Sequence, residues 1–147
     1  LERVLPLVQQ YGAAVIALCM DDAGIPPTAG KRLEVACRIL ERAERLGIPQ
    51  EDVVVDCLAL TVGADQKAAA ITLEAIEQVN REFRVNQALG VSNVSFGLPV
   101  RELLTGASLA IVDAAKARPY VLAADLLLGA DEYAMRYIRG FRQRRQP

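Results

Sequence analysis

The chain has 147 residues, 52% of them hydrophobic, with 17 basic and 18 acidic side chains and a net charge of −1. That is one domain's worth of sequence with ample apolar material for a core, and the balanced charge gives no reason to expect nucleic acid or an anionic membrane surface as a partner. The absence of His excludes His-based catalysis and most metal sites, and no apolar run approaches the roughly 20 residues of a membrane-spanning helix.

Taken in order, Glu2–Tyr11 places Val4, Leu5, Val8 and Tyr11 at helical spacing, with Gly12 as a stop and Pro6 marking the point from which the helix can run. Ala13–Leu18 is a continuous apolar run of the kind found in parallel strands covered on both faces. Cys19–Thr28 follows as a turn-rich loop. The spacing then predicts a helix over Ala29–Leu46, with Leu33, Ala36, Cys37, Leu40, Ala43 and Leu46 on its apolar stripe and Lys, Arg and Glu opposite. Thr28 is placed to cap it and Gly47 to end it. Asp52–Leu58 is the second buried strand, Thr61–Asp65 a loop, and Gln66–Phe83 a helix with Ala70, Leu73, Ile76 and Val79 inward. Gln87–Val91 is a weak third strand. Pro99 suits the first turn of a helix reaching about Leu104, Leu109–Val112 resembles a fourth strand, and helices are expected over Tyr120–Leu128 and Asp131–Arg142. The basic run Arg139–Arg145 reads as a solvated helix end. Regular alternation of helix and strand means a parallel α/β sheet.

The third strand delivers the most informative stretch, Gly90–Pro99 (GVSNVSFGLP), which turns from strand to helix where parallel β/α proteins bind ligands. Gly, Ser, Asn and Pro are also ordinary turn residues, so composition alone leaves a plain structural loop open. The complete string closely resembles the signature loop of the pterin-binding domain of corrinoid-dependent methyltetrahydrofolate methyltransferases. That group includes the methyltransferase acting on the corrinoid iron-sulfur protein and the folate domain of cobalamin-dependent methionine synthase. The resemblance extends through Leu18–Pro26 (LCMDDAGIP), Val53–Leu60 (VVVDCLAL) and Ala123–Ile138 (AADLLLGADEYAMRYI).

The resemblance implies a (β/α)₈ TIM barrel of the dihydropteroate-synthase-like, pterin-binding type, which ordinarily needs about 250 residues. By motif this α/β chain is similar to the C-terminal half, strands 5–8, so residues 1–147 are expected to form a single domain that is a partial barrel, either a fragment or a reduced relative. The earlier strands of the family, with their further pterin-binding Asp and Asn residues, have no counterpart here. The short connection between Leu104 and Leu109 and the segment Ala114–Val121 also depart from the family pattern.

Asp56 stands in an apolar strand, where an ionised carboxylate is costly without partners. It either caps the following loop or serves a ligand. A pterin offers a ring N–H and an exocyclic amine side by side, and one carboxylate can accept both. Asp56 matches the family position that does this. Asn93 either holds a turn conformation or, with donor and acceptor on one side chain, answers to protonation at a substrate nitrogen. The resemblance assigns it to N5 of the folate, whose protonated form makes a better leaving group, and so to the catalytic step. Ser92 and Ser95 are candidates to orient Asn93 or touch the pterin. Asp21 and Asp22 share the predicted rim, and paired acids there are read first as a solvated turn. Cys19, Cys37 and Cys57 are odd in number and widely spaced, fitting neither a zinc site nor a disulfide framework. Cys19 and Cys57 are read as small apolar packing residues. Free thiols fit a reducing cytoplasm, and Leu1-Glu2-Arg3 does not read as the opening of a secretory signal.

The expected function is a methyltransferase domain that binds 5-methyltetrahydrofolate and passes its N5-methyl group to the cobalt of a cobalamin or other corrinoid on a partner protein or domain, with no metal held by this chain. Two alternatives stand beside it. A dihydropteroate-synthase-like pterin enzyme would call for a lysine in the signature loop, where this sequence has Asn93. A non-catalytic barrel fragment would serve as an interaction module. A half-barrel leaves two open sheet edges, so a homodimer is expected.

Overall fold

The computed structural model describes residues 1–99, 101, 102, 105, 106 and 118–120. The elements alternate as α1 (Leu5–Tyr11), β1 (Val15–Leu18), α2 (Ala29–Arg45), β2 (Val53–Asp56), α3 (Ala68–Phe83), β3 (Asn86–Gly90) and β4 (Arg118–Tyr120). Short 3-10 turns at Gln50–Asp52 and Val91–Ser95 precede β2 and follow β3.

Local chemistry sets the boundaries. Pro6 lies in the first turn of α1, where its missing N–H is no loss, and Gly12 closes that helix in the left-handed region at φ 57°. The Thr28 hydroxyl accepts from the Lys31 N–H at 3.4 Å and opens α2. At the other end Gly47 sits at φ 72°, its N–H bonded to the Glu44 carbonyl at 2.8 Å, while the Ile48 N–H reaches Ala43 at 3.0 Å. This is the Schellman arrangement, and the buried Ile48 side chain follows it back into the core. Arg42 forks onto Glu2 at 2.6 and 3.0 Å, tying the start of the chain to α2.

The four strands are all parallel and lie in the order β1-β2-β3-β4. Val15 is opposite Val53, Val54 opposite Asn86, and Ala88 opposite Arg118. Strands that follow one another in space as in sequence wind in one direction, as in a barrel wall; a doubly wound sheet would reverse its order. Alternate residues Val53, Val55 and Cys57 face the helices with Ala17, Cys19 and Leu89. Two clusters result: one centred on Val55, Ala75, Ile76, Val79 and Leu89, the other on Leu5, Val35, Ile39, Ile48 and Val53. Ile16 and Leu18 belong to the opposite face of β1 and are 56% and 41% exposed.

Three details of the sequence reading change. The buried stripe of α2 runs through Ala29, Arg32, Val35, Ala36, Ile39 and Ala43, rotated from the expected one, so that Leu33, Cys37, Leu40 and Leu46 are only partly covered. The cause is Arg32, which turns into the protein instead of solvent. In α3, Ala70 is exposed and Thr72 is buried in its stead. Tyr120 ends β4 rather than opening a helix. The strand expected at Leu109–Val112, the rest of the helix from Tyr120 to Leu128 and the helix over Asp131–Arg142 lie outside the described residues. After Pro99, residues Arg101 and Glu102 are helical, as expected, and Thr105 and Gly106 are helical beyond the expected end near Leu104. Among the described residues no helix is long and apolar enough to cross a membrane.

Candidate functional site

The carboxyl ends of the strands gather three loops. Asp56 is the last residue of β2, flanked across the sheet by Leu18 of β1 and Ala88 of β3. It is 1% exposed. Its main-chain carbonyl accepts from the Cys19 N–H at 2.9 Å, continuing the ladder past the end of β1. Its Oδ1 accepts the Leu58 N–H at 2.7 Å, a short, charge-assisted bond that fixes the carboxylate plane. Asp56 does cap the following loop, and it is a buried acid on the face away from the helices.

Leu58 takes the left-handed conformation at φ 61°, which a branched side chain adopts only under compulsion. The compulsion comes from below. The Leu58 carbonyl accepts from Arg32 Nη1 at 2.8 Å and lies 3.2 Å from the Thr72 hydroxyl, whose single proton is shared with the Ala68 carbonyl at 2.9 Å. Arg32, itself 1% exposed, also donates to the carbonyls of Cys57 at 2.9 Å and Pro26 at 3.0 Å, and to Thr72 Oγ1 at 3.1 Å. Burial pushes its guanidinium pKa down, an effect opposed by the nearby thiols of Cys57 and Cys19. Nothing in the periodicity of α2 marks this residue, because an Arg at helical spacing reads as surface.

Asn93 lies in the 3-10 turn Val91–Ser95 directly after β3 and is exposed, while its main-chain carbonyl accepts from the Phe96 N–H at 3.2 Å. The serines do different work. Ser95 is fully buried; its hydroxyl bonds the Ser92 carbonyl at 3.1 Å and the Thr105 hydroxyl at 2.9 Å. Ser92 is half-buried, and its carbonyl also accepts from Arg101 Nη2 at 3.2 Å. Arg101 spans the loop with its guanidinium 5.7 Å from the centre of the Phe96 ring. Ser92 and Ser95 thus hold the shape of the turn that carries Asn93. Gly97, at φ 76°, lets the chain reverse toward Pro99.

Two bonds stitch the Asp56 loop to the Asn93 loop. The Thr61 hydroxyl donates to the Phe96 carbonyl at 2.7 Å, and the Val62 N–H donates to the Val94 carbonyl at 3.0 Å. Both candidate residues therefore stand at one end of the sheet on loops that form one unit. Asp21, on the β1–α2 loop of the same rim, is engaged locally: its Oδ1 accepts the Ala23 N–H at 3.0 Å within the turn, and its Oδ2 lies 3.8 Å from exposed Arg38. Asp22 is exposed beside it. Cys19 and Cys57 are fully buried in the helix-facing core, and the Cys57 thiol donates to Gln87 Oε1 at 3.4 Å. A hydrogen bond with Cys19 and burial push the Cys57 pKa well above the ordinary thiol range, so it is no nucleophile. No group of three or more Cys, Asp or Glu side chains is placed to hold a metal ion among the described residues.

A family profile described as pterin binding enzyme matches residues 2–139. Methionine synthase of Mycobacterium leprae is 34% identical over 102 residues, covering 65% of this chain and 8% of that protein. Methionine synthase of Mycobacterium tuberculosis is 33% identical over 102 residues, covering 65% of this chain and 9% of that protein. Methylcorrinoid:tetrahydrofolate methyltransferase of Eubacterium limosum is 26% identical over 144 residues, covering 88% of this chain and 52% of that protein. The chain thus spans about half of one relative and under a tenth of the other two. With a match running over nearly its whole length, the chain belongs to the pterin binding enzyme family.

Proposed function

We propose that this chain is the folate-binding part of a methyltransferase that moves a methyl group between N5 of tetrahydrofolate and the cobalt of a corrinoid held by a partner protein or domain. The observation that carries the reading is Asp56: an acid 1% exposed, at the carboxyl end of a parallel strand, with Oδ1 oriented by Leu58. Its role is to accept the paired N–H groups of the pterin ring. Asn93, exposed on the adjoining turn, serves N5, accepting a hydrogen bond from the protonated nitrogen and donating to the neutral one. Ser92 and Ser95 support that turn from beneath.

The corrinoid supplies the cobalt that carries the methyl group. This chain contributes binding, orientation and proton handling at N5. The same groups serve either direction, because the transition state is shared. The sequence reading expects donation to cobalt, and the name of the Eubacterium limosum relative runs the other way. Exposed Met20, Leu60 and Phe96 around the loops offer an apolar rim suited to a corrinoid ring. In the larger architecture the sheet is a run of consecutive strands of a TIM barrel, a reading that its sequential strand order supports, and by motif those strands are five to eight.

Titration of methyltetrahydrofolate into the parent chain, Asp56→Asn and Asn93→Ala tests the reading. Asp56→Asn is expected to weaken binding by about 10-fold or more, the equivalent of losing a charge-assisted hydrogen bond. Asn93→Ala is expected to bind within a few-fold of the parent but, with a methylcorrinoid partner, to lose turnover. Parental binding by Asp56→Asn would refute the assignment.

A further inference from the structure

We propose that Arg32 is a positioning residue of the site, acting with Thr72 through the main chain to set the carboxylate of Asp56. The proposal rests on reading Asp56 as the pterin-binding acid, and the reason lies in one peptide unit on either side of Leu58. β2 stops at Asp56, so the carbonyls of Cys57 and Leu58 have left the sheet and need other donors. Arg32 supplies them from α2, and the Thr72 hydroxyl of α3 accepts from Arg32 at 3.1 Å while sharing its one proton between the Ala68 and Leu58 carbonyls at 2.9 and 3.2 Å. With its carbonyl drawn down toward these groups, Leu58 is held at φ 61°, and its N–H points back to Asp56 Oδ1 at 2.7 Å.

The alternative state is easily described. Without the clamp, Leu58 relaxes to negative φ, its N–H leaves Oδ1, and the carboxylate loses the bond that fixes its plane. A buried arginine whose acceptors are neutral oxygens is an expensive way to fill a core, since apolar residues of similar volume do so at lower cost. Its retention makes sense where the backbone beyond β2 must be held in a strained form. The Pro26 carbonyl, a third acceptor of Arg32, extends the clamp to the β1–α2 loop. One guanidinium thereby sets two of the three loops at the rim.

The test uses Thr72→Val, which keeps shape and removes the hydroxyl that accepts from Arg32 and lies against the Leu58 carbonyl, beside Arg32→Met and Arg32→Lys. Three readouts are taken on the chain: amide hydrogen exchange at Leu58, affinity for methyltetrahydrofolate, and resistance to urea. Thr72→Val is expected to speed Leu58 exchange by about 10-fold while β3 amides keep their protection. Affinity should fall by about 10-fold, in line with a misplaced binding group. Arg32→Met should do more of both, with partial rescue by Arg32→Lys. In an Asp56→Ala background Thr72→Val should cause no further loss, because the two act on one contact. Additive losses in that double variant would overturn the positioning role, as would unchanged Leu58 exchange in Thr72→Val. If Asp56→Ala itself binds like the parent, the functional reading fails, and the positioning role falls with it even where Leu58 exchange responds. Loss of binding in Asp56→Ala but not in Thr72→Val, with Leu58 exchange accelerated, would overturn this proposal alone. Should Arg32→Met fail to fold, Thr72→Val and Arg32→Lys still decide the matter.

Discussion

At the level of single residues, the thiols separate sharply by environment. Cys57 is held protonated by its bond with Cys19 and by burial, and becomes free to ionise when the chain unfolds. Its folded pKa is raised, so its contribution to stability is complete below the ordinary thiol value of 9.0 and declines as pH rises above it. The decline should approach about 1.4 kcal/mol per pH unit for one such group. Urea midpoints measured from about pH 8 to pH 10 should therefore fall more steeply for the parent than for Cys57→Ala. Cys37 is partly exposed, and burial followed by Glu41 raises its pKa. Iodoacetamide should label Cys37 alone in the native chain, slowly at neutral pH, and all three cysteines in denaturant. Rapid native labelling of Cys19 or Cys57 would contradict the packing described. Asp56 and Asn93 could be singled out from the sequence because a lone acid in an apolar strand and an asparagine in a distinctive loop both stand out against their surroundings. Arg32 and Thr72 could not. Each is a polar residue at helical spacing, and only the path of the backbone beyond β2 gives it an inward partner.

At the level of elements, α3 is the best-defined packing unit, with Ala75, Ile76 and Val79 wholly buried against β2 and β3. Ile76→Ala should cost about 2–4 kcal/mol by urea denaturation, whereas exposed Glu77→Ala should stay within about 0.5 kcal/mol of the parent. The ends of α2 were legible in advance because Thr28 and Gly47 have few other uses at those positions. Its buried face keeps the expected Ala36 and Ala43 but is turned toward Arg32, Val35 and Ile39, since counting apolar residues gives Arg32 to solvent. The third strand looked weak in sequence for a related reason. Asn86 and Gln87 carry polar groups, yet Gln87 is buried, its amide donating to the Ile76 carbonyl at 3.0 Å and its oxygen accepting from Cys57. A satisfied polar side chain packs like an apolar one, and periodicity has no way to mark the satisfaction.

For the molecule as a whole, β1 closes one side of the described sheet with β2 as its one neighbour among the described residues, and Ile16 and Leu18 are exposed on the face turned from the helices. Val4, Leu7 and Tyr11 of α1 are exposed as well. An open strand edge beside exposed apolar side chains favours pairing with another chain. In isolation, this polypeptide is expected to self-associate at micromolar concentration, read by light scattering over a dilution series. A monodisperse monomer that unfolds cooperatively would count against it. The pairing pattern carries one more consequence, for the order in which the molecule comes together. Among the described residues, every strand meets only the strand before it and the strand after it, each contact closing over one intervening segment, so none of these pairings waits on a distant part of the chain. Within the described sheet, assembly can proceed by accretion around β2 and β3, which have neighbours on both sides there, with β1 and β4 joining last and leaving first.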